Sequence, residues 1–97
     1  THLPIPFFEG TYFEFHHNYA DQEIEVEIFV YNLHGQHVAQ IGPRMAASIG
    51  SGVEPIYWNG RGLNGNRLNP GIYIYRLRMK TANEFSSFLQ GKLMIMR

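Results

Sequence analysis

The chain has 97 residues, of which 44% are hydrophobic, and it contains no cysteine. This length suits a single domain that buries well over half of its unfolded surface. The lack of cysteine excludes disulfides, thiolate metal ligands and a cysteine nucleophile, and no apolar run is long enough to cross a bilayer, so no transmembrane segment is predicted.

The charge is balanced overall but divided along the chain. Residues 1–43 carry six acids and no Lys or Arg, whereas residues 44–97 carry eight bases and two acids, so the halves have formal charges of −6 and +6. The bases are dispersed, so we expect no nucleic-acid partner. Opposite charges on early and late strands instead predict cross-strand pairs, each of which contributes a fraction of a kcal/mol.

The composition favours strands over helices. Seven Phe, six Tyr and one Trp accompany many Ile and Val residues, and such side chains fit a pleated, half-buried surface. Residues 2–6 predict an extended segment at a sheet edge, because each proline lacks a ladder donor. Residues 11–18 alternate around Phe13 and Phe15 and predict a half-buried strand.

The clearest alternation lies in residues 23–30. Its inward face is predicted to carry Ile24, Val26, Ile28 and Val30, and its outward face Glu23, Glu25 and Glu27. A slip of one residue would bury three carboxylates, so the register is strongly specified. Gly35 is predicted to be the left-handed residue of the next turn, and residues 37–41 return as a strand that Gly42 and Pro43 end.

Residues 44–52 show neither helical nor strand periodicity, and they predict a connection that includes a single helical turn. Residues 53–58 predict a short strand. Three turn signals follow, each of a kind that places glycine at positive φ: Asn59-Gly60, Asn64-Gly65 and Pro70-Gly71.

Two strands complete the chain. Residues 71–79 predict a central strand. One face carries Tyr73, Tyr75, Leu77 and Met79, and the other carries Ile72, Ile74, Arg76, Arg78 and Lys80. The three basic residues of the second face would meet Glu23, Glu25 and Glu27. Residues 85–96 predict the last strand, interrupted by a bulge at Gly91. About seven short strands predict an all-β fold, an immunoglobulin-like antiparallel β-sandwich.

Four stretches, through their order and spacing, carry a family resemblance: residues 25–38 with EIFVYNLHGQHV within them, WNGRGLNGNRL at 58–68, NPGIYIYRL at 69–77 and GKLMIMR at 91–97. They resemble the immunoglobulin-like C-terminal sorting domains of the type IX secretion system. The middle two also look similar to the immunoglobulin-like domain of flagellar hook-capping proteins, but the terminal stretch favours the sorting domain. The lead-in TYFEFHHN at residues 11–18 looks most like the end of the gingipain-family (peptidase C25) sortase.

The resemblance implies that residues 1–97 form one domain at the C-terminal end of a longer exported protein, such as a gingipain-like cysteine peptidase or sortase. The start at Thr1 without an initiator Met fits the same interpretation. The outer-membrane secretion machinery recognises such a domain, and on the sortase the domain docks to an outer-membrane shuttle protein. The implied location is the cell surface or outer membrane of a Gram-negative bacterium. We expect no catalysis by this fragment and no cofactor.

The last strand is the predicted contact surface. An exposed edge has free backbone donors and acceptors to which a partner chain, or a second copy in a homodimer, can add. The residues predicted to bind the partner are Gly91, Lys92, Leu93, Met94, Ile95, Met96 and Arg97. The alternative is a strand paired inside the sheet, with Met94 and Met96 filling the core.

The loop of residues 58–71 is the second predicted contact surface. The residues predicted to give this loop and the earlier turn their shape are Gly35, Trp58, Asn59, Gly60, Gly65, Pro70 and Gly71.

Other site classes have weaker support. His16 and His17 would point to opposite faces of a strand, and His34 and His37 bracket a turn without further ligands, so no metal site is predicted. No serine has a nucleophile-elbow context.

Two alternative functions stay open. The first is a carbohydrate-binding module, and the second is a purely structural spacer, which predicts a blunted last strand. The sugar platform of the first would use Tyr12, Tyr31, Tyr57 and Trp58, although Trp58 also suits a core position.

Overall fold

The computed structural model describes residues 5–7, 10–13, 23–49, 52–53, 55–81 and 86–96. The strands in these ranges are β1 (Ile5–Phe7), β2 (Thr11–Phe13), β3 (Glu23–Tyr31), β4 (His37–Ile49), β5 (Gly52–Val53), β6 (Ile56–Trp58), β7 (Gly71–Thr81) and β8 (Ser86–Ile95). The predicted all-β sandwich is confirmed, with eight strands in the described ranges where about seven were expected.

Six strands form one sheet in the order β1-β8-β7-β3-β4-β5, and β2 and β6 form a second sheet. The pairings are antiparallel except for β1, which lies parallel to β8. The two sheets share one core, to which the smaller sheet contributes Phe13, Ile56 and Trp58. The prediction of an edge position for the first segment is confirmed over Ile5–Phe7, and residues 2–4 lie outside the described residues.

The centre of the large sheet follows the predicted alternation. The inward side chains of β3 are buried along its whole length, and β7 lies beside it with Glu27 opposite Arg78 and Glu25 opposite Lys80. The Nη2 atom of Arg78 is 2.7 Å from Glu27 Oε1 and 3.4 Å from Glu25 Oε1. The predicted ion pairing across these strands is therefore confirmed for Arg78.

Strand β4 is longer than predicted. The expectations of a strand end at Gly42 and Pro43, and of a connection with a helical turn over residues 44–52, are wrong because β4 continues to Ile49. Gly42 has a φ of 83°, and the register with β3 shifts between Val26 and Ile28 at this point. These features form a β-bulge, which inserts an extra residue without ending the ladder. Beyond the bulge β4 pairs with β5.

The predicted strand over residues 11–18 is confirmed for Thr11–Phe13, and residues 14–18 lie outside the described residues. This short strand pairs with β6, so Thr11 lies opposite Trp58 and Phe13 opposite Ile56.

Candidate functional site

The terminal strand β8 has different neighbours along its two sides. One side pairs with β7 from Ser86 to Ile95, and the other pairs with β1 only at Leu93, Met94 and Ile95. The prediction of an open edge is therefore wrong for these three residues, because β1 occupies their free backbone groups. From Ser86 to Lys92, no strand in the described ranges pairs with the outer side of β8.

The side chains of the terminal strand divide between the core and the surface. Leu93 and Ile95 are 0% and 2% exposed, whereas Lys92 is exposed, Met94 is half-buried and Met96 is 40% exposed. The alternative of a strand paired inside the sheet is therefore confirmed for Leu93, Met94 and Ile95, and it is wrong for Met96, which does not fill the core. Contact of this segment with a partner stays a prediction, and the two buried side chains act as anchors for the strand. Arg97 lies outside the described residues.

Gly91 does not form the predicted bulge. It lies opposite Tyr75 in an unbroken register between β7 and β8. A Cβ atom at Gly91 would collide with the Tyr75 hydroxyl and would lie 2.6 Å from Tyr75 Cε1, so glycine allows the ring to cross the β8 backbone. The same ring packs edge-on against Phe13 of the second sheet at a centroid distance of 5.2 Å, and burial raises the pKa of the Tyr75 hydroxyl.

Apolar side chains surround the outward residues of the terminal strand. In the sheet, Met94 lies opposite Ile72, Lys92 lies opposite Ile74, and Ile74 lies opposite Tyr31 on its other side. We call the four residues Tyr31, Ile72, Ile74 and Met94, together with Met96 at the strand end, the outer apolar patch. Ile72 and Met96 are exposed and the other three are half-buried, and contiguous apolar surface that solvent reaches commonly marks an interaction site. The sequence pattern predicts Ile72 and Ile74 on the face with the basic residues, but it does not identify them as contact residues.

Trp58 lies in the core, as one of the two sequence interpretations predicted. It is 4% exposed, and its indole Nε1–H donates to the Arg61 carbonyl at 3.1 Å. A sugar platform that includes Trp58 is therefore wrong. The four glycines predicted to have positive φ are confirmed, with φ of 82° at Gly35, 77° at Gly60, 82° at Gly65 and 146° at Gly71.

The loop after Trp58 is held by its own hydrogen bonds. The Asn59 Oδ1 atom accepts from the Arg61 N–H at 3.0 Å, and the Arg61 Nη1 group donates to the Gly65 carbonyl at 2.9 Å. The Leu63 N–H donates to the Val38 carbonyl at 2.9 Å, which ties the loop to β4. These bonds give the loop one defined shape.

The two predicted contact surfaces meet at one place. Gly71, which follows the exposed Pro70, lies opposite Ile95 at the start of β7. Asn59, Gly60 and Gly65 belong to the loop beside β4, which is separated from β8 by β3 and β7 in the sheet. The Gly35 turn joins β3 to β4, where the Asn32 Oδ1 atom accepts from the backbone N–H groups of residues 34 and 36.

The described residues contain no group of three or more His, Cys, Asp or Glu side chains that would hold a metal ion. His34 and His37 lie in and after the hairpin turn, and His16 and His17 lie outside the described residues. The described part of the chain also has no helix of the length and apolar character required to span a membrane.

Comparisons of the chain with protein-family models, with curated proteins and with solved structures gave no match.

Proposed function

We propose that this domain is a C-terminal sorting and docking module of the type IX secretion kind. In this role the outer-membrane machinery and its shuttle protein recognise the domain, which carries an attached gingipain-like peptidase or sortase to the cell surface. The sequence resemblance supports the proposal. Its stretches correspond to the β3–β4 hairpin, the loop after Trp58, the start of β7 and the end of β8.

The outer apolar patch is the structural observation that carries the proposal. Leu93 and Ile95 fix the terminal strand in the core, so Met94 and Met96 are presented on the outer side of a rigid sheet beside Ile72. A partner that covers this surface buries apolar area, which favours association. Methionine side chains are flexible and polarizable, so they adapt to the shape of a partner.

The test uses the full-length parent protein in its own secretion host. The double substitution Met94→Ser and Met96→Ser removes apolar contact area while it leaves Leu93 and Ile95 in the core. We expect the parent to accumulate inside the cell envelope, with at least a tenfold loss of surface display measured by protease accessibility on intact cells. The matched control is Met45→Ser, which changes an exposed methionine on β4 of the same sheet.

Normal surface display of the double variant would overturn the proposal, provided that the isolated domain keeps its unfolding midpoint. The same display for Met45→Ser and the unmodified parent is the expected control result. Deletion of residues 91–97 is a weaker test, because it removes two core side chains and unpairs β1. A purely structural spacer predicts unchanged display for both methionine variants.

A further inference from the structure

A cleft of about 350 Å³ lies between β4 and the chain around Trp58. Gln40, Gly42 and Arg44 line it from β4, and Tyr57, Asn59 and Arg61 line it from the other side. This volume is within the range of roughly 300–1,000 Å³ that is typical of small-ligand sites. The cleft shares no residue with the outer apolar patch, so it needs an explanation of its own.

The cleft is positively charged. Arg44 and Arg61 both line it, and no Asp or Glu of the described residues does so. Neither arginine forms a salt bridge within the described ranges. The bond from Arg61 Nη1 to the Gly65 carbonyl holds that guanidinium in place, and its other side-chain N–H groups donate to no residue in the described ranges. Guanidinium groups bind carboxylates through paired, charge-assisted hydrogen bonds, so the cleft favours an anionic ligand.

An exposed tyrosine forms one wall of the cleft. Tyr57 is 46% exposed, and the Tyr12 ring packs against the Tyr57 ring at a centroid distance of 5.2 Å. The Tyr57 hydroxyl lies so close to Gly10 that a Cβ atom there would collide with it. These neighbours hold the ring in one orientation, and a fixed aromatic ring binds an apolar surface with little loss of conformational entropy.

We infer that the cleft binds an acidic saccharide, in the form of a hexuronic acid unit. Its carboxylate pairs with Arg44 and Arg61, and the apolar C–H face of its sugar ring packs on Tyr57. The Oδ1 atom of Asn59 already accepts from the Arg61 backbone N–H, which fixes the side-chain amide. The N–H₂ group of the same amide is the part that donates to a sugar hydroxyl. Of the four aromatic residues in the predicted sugar platform, this site uses Tyr57, which Tyr12 supports.

The test is a titration of the ¹⁵N-labelled chain with glucuronate, followed by amide chemical shifts. Saturating shifts are expected at the backbone amides of Gly42, Asn59 and Arg61, with a dissociation constant on the order of 1 mM for a ligand of about 13 non-hydrogen atoms. Glucose, which lacks the carboxylate, is expected to bind at least tenfold more weakly. Inorganic phosphate serves as the probe for simple anion binding.

Substitutions separate the two parts of the site. Arg44→Gln is expected to raise the glucuronate dissociation constant about tenfold, and Tyr57→Leu is expected to raise it several-fold. The control is Arg76→Gln, which changes an exposed arginine on the outer face of β7 and leaves glucuronate binding unchanged.

Three results would overturn the inference. The first is no saturable shift with 20 mM glucuronate, at roughly twentyfold the expected dissociation constant. The second is equal weakening by Arg44→Gln and Arg76→Gln. The third is phosphate binding as tight as glucuronate binding together with no effect of Tyr57→Leu, which would indicate an unspecific anion site. Each of these results leaves the proposed sorting function unaffected, because the variants do not alter the outer apolar patch.

Discussion

The division of the terminal strand into buried and outward side chains predicts very different costs for two alanine substitutions. Leu93 is fully buried, and its backbone is paired with β1 on one side and β7 on the other. Replacing a buried leucine with alanine removes its transfer free energy and leaves a cavity, for a loss of about 2–5 kcal/mol. We expect about 3 kcal/mol for Leu93→Ala, because neighbouring strands on both sides limit collapse around the cavity.

Met96→Ala is the matched control. Met96 is 40% exposed at the strand end, so its loss is expected to change the free energy of unfolding by less than about 1 kcal/mol. In a domain of this size 1 kcal/mol shifts the melting temperature by about 4–8 °C, so Leu93→Ala is expected to lower it by more than about 10 °C. A loss of 3 kcal/mol is a large part of the total stability of a small domain, which is about 5–15 kcal/mol.

Urea unfolding followed by the fluorescence of the single, buried tryptophan measures both effects. The slope of the unfolding free energy against urea is expected to stay constant, so the change appears in the midpoint alone. Equal losses for Leu93→Ala and Met96→Ala would refute the assigned alternation of the strand. A larger loss for Met96→Ala would also remove the physical basis of the outer apolar patch.

Three further predictions concern the core, the ion pairs and the sheet contact. Trp58→Ala is expected to lower the free energy of unfolding by about 3–5 kcal/mol in denaturant titrations, and a loss below about 1 kcal/mol would contradict its burial. A double-mutant cycle of Glu27→Gln and Arg78→Met is expected to give a coupling of about 1 kcal/mol that added salt weakens only in part, because the pair is half-buried, and no coupling at all would contradict the ion pair. Burial raises the pKa of Tyr75, so the folded state holds this proton more tightly than the unfolded state, and stability is lost as the pH rises above about 10. Tyr75→Phe is expected to reduce that alkaline loss in urea titrations run at increasing pH, and an unchanged loss would contradict the burial of the Tyr75 hydroxyl.

The sequence was sufficient to predict the strands whose two faces differ in polarity. In β3, carboxylates alternate with aliphatic residues, so a single register satisfies both solvent and core. The same alternation gave the inward face of β7 and the partner of Arg78. The burial of Trp58 also followed from its position at a strand end before a turn, although the sequence left a surface role open.

The features that the sequence did not predict depend on contacts between distant residues. Gly42 and Pro43 have the composition of a strand end, and only the partner strand β3 decides that the ladder continues past the bulge. Gly91 similarly suggested a bulge from the sequence. The structure shows that this position requires glycine because the Tyr75 ring of the neighbouring strand lies against it. The pairing of Ile5–Phe7 with the end of β8 joins parts of the chain almost ninety residues apart, and no local pattern indicates it.

The cleft was missed for the same reason. Arg44 falls in a stretch with no clear periodicity, and Arg61 lies in a turn-rich loop. Each is an ordinary surface cation when the sequence is considered alone. The bulge in β4 and the hydrogen bonds of the loop bring both arginines to the same cleft as Tyr57.

The parallel pairing of β1 with the end of β8 has a mechanical consequence. Both strands run in the same direction. A force that pulls Ile5 in the N-terminal direction and Ile95 in the C-terminal direction therefore acts on the two strands along their length and in opposite directions. The hydrogen bonds between them are then loaded together in shear, whereas an antiparallel pair at the same place would open one bond at a time. If a partner holds the last strand while force is applied to the chain before Ile5, the β1–β8 pair therefore resists rupture, because its hydrogen bonds share the force.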